Sequence, residues 1–320
     1  MFFRCCFFIT TKNSSFLILA KVIIIFVILH QANQAFYFMA KRKKSKTKRR
    51  QAVRRRVAVA LWCLAVAIAG YWLVEVARGN AHAKHRLDNA RQLRDALEVG
   101  KMPDGVSNRR LAYHGFWVYF NAHHHIPNCT VYELTRHEVD GRLSRAGSFE
   151  TDSTVEGCAR PWDYTLSGYE RGHMVPARDL LWSREALHHS FKMTNVCPQA
   201  KSLNEGGWAK LEEKVREWCR RDSALIVVTG PILSAHMKTI GKQHIAVPRH
   251  FFKIVLAPYG KVPKAIAFIY PNGACNRSLS HYAVPIDSIE KLTGMDFFDA
   301  LPNELEHNLE SNVNLDLWTH

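Results

Sequence analysis

The sequence has almost no acidic residues near its N-terminus, no CxxC cysteine pair and no visible internal repeat. Residues 1–80 contain 15 Lys and Arg and a single acid, Glu75, whereas residues 81–320 contain 29 Lys and Arg and 27 Asp and Glu. The formal charge of +16 therefore belongs to the N-terminal region. Any nucleic-acid contact of the remainder needs a local basic cluster. The missing CxxC pairs argue against a structural zinc ribbon, and the 320-residue length allows one large domain or two small ones.

Charge is also absent from a long apolar run near the N-terminus. Residues 57–74 (VAVALWCLAVAIAGYWLV) carry no charge, and residues 41–56 before them carry eleven Lys and Arg and no acid. A helix of this length is about long enough to cross a bilayer core. The sequence therefore predicts a basic cytoplasmic segment over 39–56 and a transmembrane anchor over 57–76. The positive-inside rule then places the C-terminal part outside the cytoplasm, at the cell membrane.

Three features of this region have competing interpretations. A cleaved signal peptide would end near the weak Ala81–Ala83 site, but the apolar run is long for a signal peptide, which favours an anchor. The basic run could be a DNA- or lipid-binding tail, although beside an apolar span a topology signal is favoured. Residues 1–38 form an extension with a second apolar stretch, and both Met1 and Met39 remain open as the start of the chain.

The rest of the chain is divided by its composition. Residues 77–110 are polar and predict a stalk, 111–312 a compact domain and 313–320 a tail. The pattern predicts an α+β fold, a mostly antiparallel sheet flanked by helices. The expected strands cover 116–120, 130–137, 224–229, 250–256 and 265–270, and the expected helices cover 179–189, 204–221, 286–292 and 297–301.

The cysteine count leaves the redox state open. Five cysteines belong to the globular part, at positions 129, 158, 197, 219 and 275. Disulfides are permitted if this part lies outside the cytoplasm, but with an odd number at least one thiol stays unpaired or pairs between chains. No pairing is predicted.

Two segments carry residues suited to phosphodiester hydrolysis: YERGHMVPA at 169–177 and LNEGGWAKLE at 203–212. A histidine such as His173 can accept a proton from water near neutral pH. The carbonyl of Asn204, with water and phosphate oxygens, suits Mg²⁺. Glu212 comes eight residues later, about 80° and about 12 Å along a regular helix. We therefore expect Glu212 to hold a metal-bound water rather than the ion itself.

Each of these residues has a simpler interpretation when taken alone. Asn204, or Ser202, could cap a helix, Glu212 could be a solvated helix residue and Trp208 a core residue. The run His123–His125 could bind zinc, but neighbouring strand residues point to opposite faces, which favours an ordinary loop. The ordered combination of the two segments is what favours catalysis.

Together with further motifs, these segments resemble the DNA/RNA non-specific endonucleases of the ββα-metal (His-Me finger) superfamily. The resemblance covers most of residues 111–312. It rests on SGYERGH at 167–173, MTNVCPQ at 193–199, LNEGGWAKLE at 203–212, VTGP at 228–231, VP at 247–248, FK at 252–253, AF at 267–268, IDSIEKLTG at 286–294 and FF at 297–298.

The resemblance implies roles for individual residues. His173 would be the general base, Asn204 the protein ligand of Mg²⁺ or Mn²⁺, and Glu212 would hold the metal's water shell. Arg171 and Asn195 match active-site positions of the family.

A phosphate-binding arginine is implied as well. Arg145 resembles the family's arginine, with Arg142 as a competing choice in the same loop. The sequence departs from the family at Glu170, where an Asp is usual. The added methylene puts the local packing in question, but activity is expected to survive.

The predicted function is therefore a metal-dependent, sugar-non-specific endonuclease. It would act on DNA and RNA, leave 5′-phosphate ends and be held at the membrane by its N-terminal helix; the resemblance also allows a homodimer. Two alternatives remain: a catalytically inactive nucleic-acid-binding or receptor module, and a phosphodiesterase for smaller substrates. An intact His173, Asn204 and Glu212 argue against the inactive module.

Overall fold

The structure is a computed structural model that describes residues 52–53, 55–72, 74–76, 101–260 and 262–319. The chain forms two compact units, Met1–His82 and Ala83–His320. The predictions for residues 1–38, and for most of 39–56 and of the stalk, lie outside the described residues.

The described part of the first unit is one apolar helix, α1 (Arg55–Val76). Its mean hydropathy of 2.3 and its 22 residues give it the length and composition of a membrane span. It closely matches the span predicted over 57–76, and large apolar side chains such as Trp62 and Trp72 are exposed along it.

The second unit is built on a seven-stranded antiparallel sheet. Its strands are β1 (Arg109–Tyr113), β2 (Phe116–Asn121), β3 (Ile126–Thr135), β6 (Ala224–Ile232), β9 (His250–Ala257), β10 (Lys264–Pro271) and β11 (Ala283–Val284). They lie side by side in the order β1-β2-β3-β6-β9-β10-β11. Two small hairpins stand apart: β4 (Glu170–His173) with β5 (Val196–Gln199), and β7 (Lys238–Ile240) with β8 (Ile245–Val247).

Helices cover both faces of the sheet. They are α2 (Arg136–Val139), α3 (Arg184–Ser190), α4 (Trp208–Asp222), α5 (Leu279–Tyr282), α6 (Ile286–Thr293) and α7 (Asn303–Glu310). Short 3₁₀ turns lie at Pro161–Tyr164, Ala177–Leu180, Met193–Asn195 and Leu315–Trp318, and a π-helical turn lies at Leu203–Gly207. The α+β class and the antiparallel sheet agree with the prediction.

The sheet separates two hydrophobic cores. Side chains alternate along β9, so that Phe251 and Val255 face one core, while Phe252 and Ile254 face the other. The first core contains the apolar stripe of α4 and the β4–β5 hairpin. The second contains Ile286, Ile289 and Leu309 from α6 and α7. The predicted catalytic segments and the C-terminal helices therefore lie on opposite faces of the sheet.

Several predicted boundaries were wrong. The strand expected over 130–137 is replaced after Thr135 by α2, because Thr135 caps that helix in a capping box with Glu138. The helix expected over 297–301 does not form, and the C-terminal helix is α7 instead. The single helix expected over 204–221 is split, with a π turn before α4.

The compact domain also extends past its predicted ends. Lys101 forms a β-bridge with Asp296, so residues predicted as stalk join the domain. Residues 313–320, predicted as a tail, include Trp318, which is 2% exposed and packs on Trp218 with ring centroids 4.9 Å apart. All the described cysteines, including the five of the second unit, are free thiols.

Candidate active site

His173 lies at the end of the short β4–β5 hairpin, opposite Val196. Gly172 allows the two strands to approach, because a Cβ at this position would lie 2.1 Å from Oε1 of the buried Gln199. The imidazole packs between two aromatic rings, with centroid distances of 5.0 Å to Phe149 and 5.2 Å to Phe191. The hairpin therefore holds this ring in a fixed apolar setting.

The environment of His173 keeps its imidazole neutral. The side chain is buried, and its Nε2 has no hydrogen-bond partner among the described residues. Burial, followed by the positive charge of Arg145, lowers the pKa of His173 to about 3. The ring is therefore unprotonated at neutral pH, which is the form needed to accept a proton.

Asn195 fixes the turn that follows His173. Its Oδ1 accepts a hydrogen bond from the Val175 N–H at 2.9 Å, and its Nδ2 donates to the carbonyls of Val175 at 3.0 Å and Ser190 at 2.9 Å. The amide is fully buried and occupied by the backbone. The structure therefore places Asn195 beneath the hairpin as a support.

Arg171 is likewise engaged with the protein. Its Nε and Nη2 donate to the Pro161 carbonyl at 3.1 and 2.7 Å, and its guanidinium lies 5.5 Å from the centroid of Phe149. Arg171 and His173 thus share the ring of Phe149 as a neighbour.

Asn204 lies in the π-helical turn Leu203–Gly207 and is held by Glu170. Its Nδ2 donates to Oε2 of Glu170, the first residue of β4, at 2.8 Å. The predicted capping role is wrong, since no side-chain cap bond forms at the start of either the turn or α4. Because Glu170 takes the amide N–H, and no described residue donates to the Asn204 Oδ1, this oxygen is available as a ligand.

The same contact explains how the chain accommodates Glu170 in place of the family's Asp. The longer carboxylate spans from β4 to the π turn and also lies 3.7 Å from Lys201. Glu170 thus packs without displacing Asn204.

Glu212 lies on the first part of α4, partly buried, and its carboxylate makes no hydrogen bond within the described residues. Burial raises its pKa, while the nearby positive charges of Lys253, Arg216 and Arg145 lower it. Burial lowers the pKa of Lys253, and the negative charge of Glu212 is the largest effect that opposes this shift. The buried Lys253 and the partly buried Glu212 are thus electrostatic neighbours of opposite charge.

A charged network surrounds this pair. Asp179 is 1% exposed and accepts from Tyr132 Oη at 2.8 Å and from Arg216 Nη1 at 2.9 Å. Lys253 donates to Oγ1 of Thr229 on the neighbouring strand at 2.7 Å. Opposite charges inside the core thus partner one another, as buried ions require.

Two arginines compete for the phosphate in the sequence, and only one acts on the site electrostatically. Arg145 is exposed, and its charge lowers the pKa of both His173 and Glu212. Arg142 is also exposed and contributes to neither shift. Of the two arginines, Arg145 is therefore the electrostatic neighbour of His173 and Glu212.

The donor set fits a hard divalent cation. Asn204 Oδ1 is a neutral oxygen whose amide partner is already bonded, and Glu212 is a carboxylate without a hydrogen bond in the described part of the chain. Oxygen ligands of this kind are those that Mg²⁺ prefers while it keeps several waters. The π turn places Asn204 outside the regular helix that carries Glu212.

Other residues behave as their simpler interpretations predicted. Trp208 is 1% exposed and packs against Phe251 and Tyr270 in the core. His123–His125 lie in the turn between β2 and β3, where the His125 ring nitrogen Nδ1 lies 2.7 Å from the Gly157 carbonyl oxygen.

Sequence reasoning assigned no role to Phe149, Asp179, Arg216 or Lys253. Phe149 and Asp179 are separated from their partners by loops, and no local pattern marks them. Lys253 had a visible signal, because it is a lone charge inside the apolar strand β9, HFFKIVLA. A charged residue in a strand buried on both faces requires a buried partner.

The sequence matches a family of nucleases and several of its members. The family model for DNA/RNA non-specific endonucleases matches residues 95–304. Nuclease 1, mitochondrial, of Schizosaccharomyces pombe is 30% identical over 238 residues, which cover 66% of this chain and 72% of that protein. Endonuclease G, mitochondrial, of Bos taurus is 35% identical over 181 residues, covering 52% of this chain and 59% of that protein.

A solved structure shares the fold. The crystal structure described as the EndoG/EndoGI complex superposes with a TM-score of 0.59 at 24% identity, covering 62% of this chain and 89% of that chain. The family match covers well over half of the sequence and includes every predicted site residue. The chain therefore belongs to the DNA/RNA non-specific endonuclease family and is a nuclease.

Proposed function

We propose that this nuclease is a metal-dependent, sugar-non-specific endonuclease that hydrolyses phosphodiester bonds of DNA and RNA to leave 5′-phosphate ends. The observation that supports it best is an electrostatic neighbour that two separate segments share. Arg145, from a loop, acts on both His173 of β4 and Glu212 of α4. A base, a phosphate-binding cation and an acidic group thereby serve one site.

His173 is the proposed general base. Its neutral imidazole accepts a proton from the attacking water as the P–O bond forms. Nε2 is enclosed without a partner among the described residues, so Nδ1 is the nitrogen that we assign to proton transfer. A bound phosphodiester is negative, so it raises the low pKa of His173 toward neutrality.

Arg145 is proposed to bind the phosphate. Its guanidinium is exposed and can donate two parallel hydrogen bonds to phosphate oxygens. Negative charge grows on these oxygens as the water attacks, so this contact is stronger in the transition state than in the ground state.

Asn204 Oδ1 is the proposed direct ligand of Mg²⁺ or Mn²⁺, and Glu212 holds its water shell. When bound, the ion stabilises charge on the phosphate and on the leaving 3′-oxygen. Glu170 orients the Asn204 amide by taking its N–H. Asn195 and Arg171 position the hairpin and the Pro161 loop around His173.

The proposed contacts are made to phosphate, which DNA and RNA share. This supports activity on both polymers. A homodimer is compatible with the proposal, and sedimentation of the purified chain tests it.

Cleavage assays test the catalytic proposal. The full-length chain in detergent is expected to cut plasmid DNA and single-stranded RNA with Mg²⁺ or Mn²⁺ and to stop with EDTA. His173→Ala should lower kcat by about 10²–10⁴-fold, the usual contribution of a general base. The exposed His236→Ala is the matched control. Absence of cutting by the wild type on every substrate would overturn the proposal.

We further propose that α1 anchors the nuclease in the cell membrane with the catalytic domain outside the cytoplasm. The apolar helix Arg55–Val76 and the basic run before it support this. Retention in the membrane pellet at alkaline pH, with the domain digested by protease added from outside, is expected. Release into the soluble fraction would contradict the anchor.

A further inference from the structure

Three carboxylates meet where the two C-terminal helices approach each other. Asp287 and Glu290 lie three residues apart on α6, and Glu310 is the last residue of α7. One carboxylate oxygen from each lies within 4.8 Å of the other two. We call this group the α6–α7 carboxylate cluster. It lies against the second core, on the sheet face opposite His173.

Glu310 carries the evidence that this cluster is more than a group of surface acids. Its side chain is 6% exposed, and its Oε1 is buried with no hydrogen-bond partner among the described residues. A buried carboxylate without a partner costs several kcal/mol in proteins unless a proton or a cation compensates it. If the protein itself neutralised this carboxylate, a basic side chain would lie beside Glu310.

No protein cation takes that place within residues 101–260 and 262–319. None of the three carboxylates forms an ion pair there, and Lys101, whose charge acts on the neighbouring Glu306, is paired with Asp296 at 3.4 Å on the surface. The surrounding charges are negative, since Glu306 and Asp296 join the cluster in acting on Glu310. Glu310 also ends a helix, where the backbone dipole presents its negative end.

A proton is the competing occupant of the cluster. Burial, followed by the negative charge of Glu290, raises the pKa of Glu310 to about 8, so a cation competes with a proton for this carboxyl group at neutral pH. A bound cation would reverse this shift, because a positive charge favours the ionised form of the carboxyl group. Glu290 accepts a hydrogen bond from the Phe297 N–H at 2.8 Å.

We propose that the α6–α7 carboxylate cluster binds a divalent cation, with Ca²⁺ as the ion that fits it. Ca²⁺ is held by carboxylate oxygens at about 2.3–2.6 Å in irregular geometry, so one ion joins oxygens up to about 5 Å apart. Mg²⁺, with bonds of about 2.0–2.1 Å, requires near-ideal octahedral geometry and usually keeps several waters, so a cluster of carboxylates suits it less well. The bound ion ties α6 to α7 against the sheet and neutralises the buried Glu310.

Calcium-dependent thermal unfolding tests the site. The full-length chain in detergent is stripped with EDTA, and its Tm is measured with and without millimolar Ca²⁺ at constant ionic strength. Glu310→Gln and Asp287→Asn are expected to lose a Ca²⁺-induced rise of about 5 °C that the wild type shows. Glu304→Gln removes one exposed charge from the same helix and should keep the full rise. Two cluster variants guard against one that fails to fold.

The outcomes separate this proposal from the catalytic one. Any Ca²⁺ bound near Asn204 contributes equally to the wild type and to Glu310→Gln, so only the difference between them reports on the cluster. Glu310→Gln should also cut DNA with Mg²⁺ within about twofold of the wild type. An equal rise in Tm for wild type and both cluster variants would overturn the proposal. The proposal would also be overturned if Ca²⁺ did not change the Tm of the wild type and the stability difference between wild type and Glu310→Gln changed only with pH. A proton would then occupy the cluster.

Discussion

At the residue scale, the site depends on side chains that orient other side chains. Asn204 has one amide, and the carboxylate of Glu170 decides which end of it faces outward. Asn195 uses its whole amide on the backbone after His173. His173 in turn owes its neutral state to burial and to Arg145. The chemistry of each functional group is therefore set by a neighbour from another segment.

Removing Glu170 should weaken metal binding more than it affects folding. Glu170→Ala frees the Asn204 Nδ2, so the amide no longer has a fixed orientation. The Mg²⁺ concentration for half-maximal cleavage should rise about 10–100-fold, as expected for the loss of a group that orients a ligand. A metal titration of DNA cleavage measures this.

The control for this variant is Glu205→Ala. Glu205 is exposed and pairs with Lys201 at 3.2 Å, as Glu170 does at 3.7 Å, but the Asn204 side-chain amide donates to Glu170 and not to Glu205. If both variants shift the metal requirement equally, the effect is one of local charge and the orienting role is wrong.

His173 should make the protein sensitive to acid. Its folded pKa of about 3 lies below its unfolded value near 6.5, so between these values the unfolded chain binds a proton that the folded chain does not. Stability is therefore lost as pH falls through this window. Replacement by glutamine removes this loss, so His173→Gln should gain about 2 kcal/mol relative to the wild type between pH 7 and pH 5.

Urea unfolding of both proteins at several pH values measures this difference. The exposed His236→Gln serves as the control for losing an imidazole. A constant difference between wild type and His173→Gln across the window would show that His173 is not held neutral in the fold.

At the element scale, the short β4–β5 hairpin has only four residues in each strand, so its geometry depends on close approach. The hairpin sets the register of Gly172 opposite Cys197 and of His173 opposite Val196. The π turn before α4 then brings Asn204 to the first residue of β4. Two irregular elements, rather than long regular ones, assemble the proposed metal ligand and base.

Gly172→Ala should disrupt this hairpin. The added Cβ would lie 2.1 Å from Oε1 and 2.3 Å from Cδ of Gln199, whose side chain is fully buried and cannot swing away into solvent. We expect a loss of about 1–3 kcal/mol of unfolding free energy and a large loss of cleavage. Gly273→Ala, which adds a Cβ in open space, should change neither. Normal activity of Gly172→Ala would show that the hairpin can shift freely.

At the scale of the whole second unit, the central sheet separates the proposed nuclease site from the proposed cation site. One face carries the nuclease site and the other carries α6, α7 and their carboxylate cluster. The C-terminal residues return to the first face, where Trp318 packs on Trp218. The Nζ of Lys264 lies 4.6 Å from the centroid of the Trp318 ring. Arg221 and Lys264 also donate to the carbonyls of Trp318 and Leu317.

Trp318→Ala should therefore destabilise the catalytic unit. Loss of a buried tryptophan typically costs about 3–5 kcal/mol. The neighbouring Leu317 is 49% exposed, so Leu317→Ala should cost less than about 1 kcal/mol. Denaturant unfolding compares the two. Equal stability of both variants would show that residues 313–319 are a tail that does not stabilise the domain.

The sequence by itself determined the elements with strong local patterns. The apolar run of α1, the strands β6, β9 and β10 and the amphipathic α4 follow from periodicity over neighbouring residues. The ordered motifs around His173 and Asn204 also identified the family. The predicted strand end near Thr135 was wrong, because a capping box and a strand end compete over a few residues.

Only the tertiary structure decided how these residues act on one another. Glu170 and Asn204 are 34 positions apart, and Lys253 and Thr229 are 24 apart, so no local spacing links them. Burial fixed the charge states, because desolvation depends on what all the packed segments enclose. For the same reason, the sequence does not reveal the α6–α7 carboxylate cluster. Asp287 and Glu290 are ordinary helix acids in the sequence, and only the packing of α7 brings the buried Glu310 beside them.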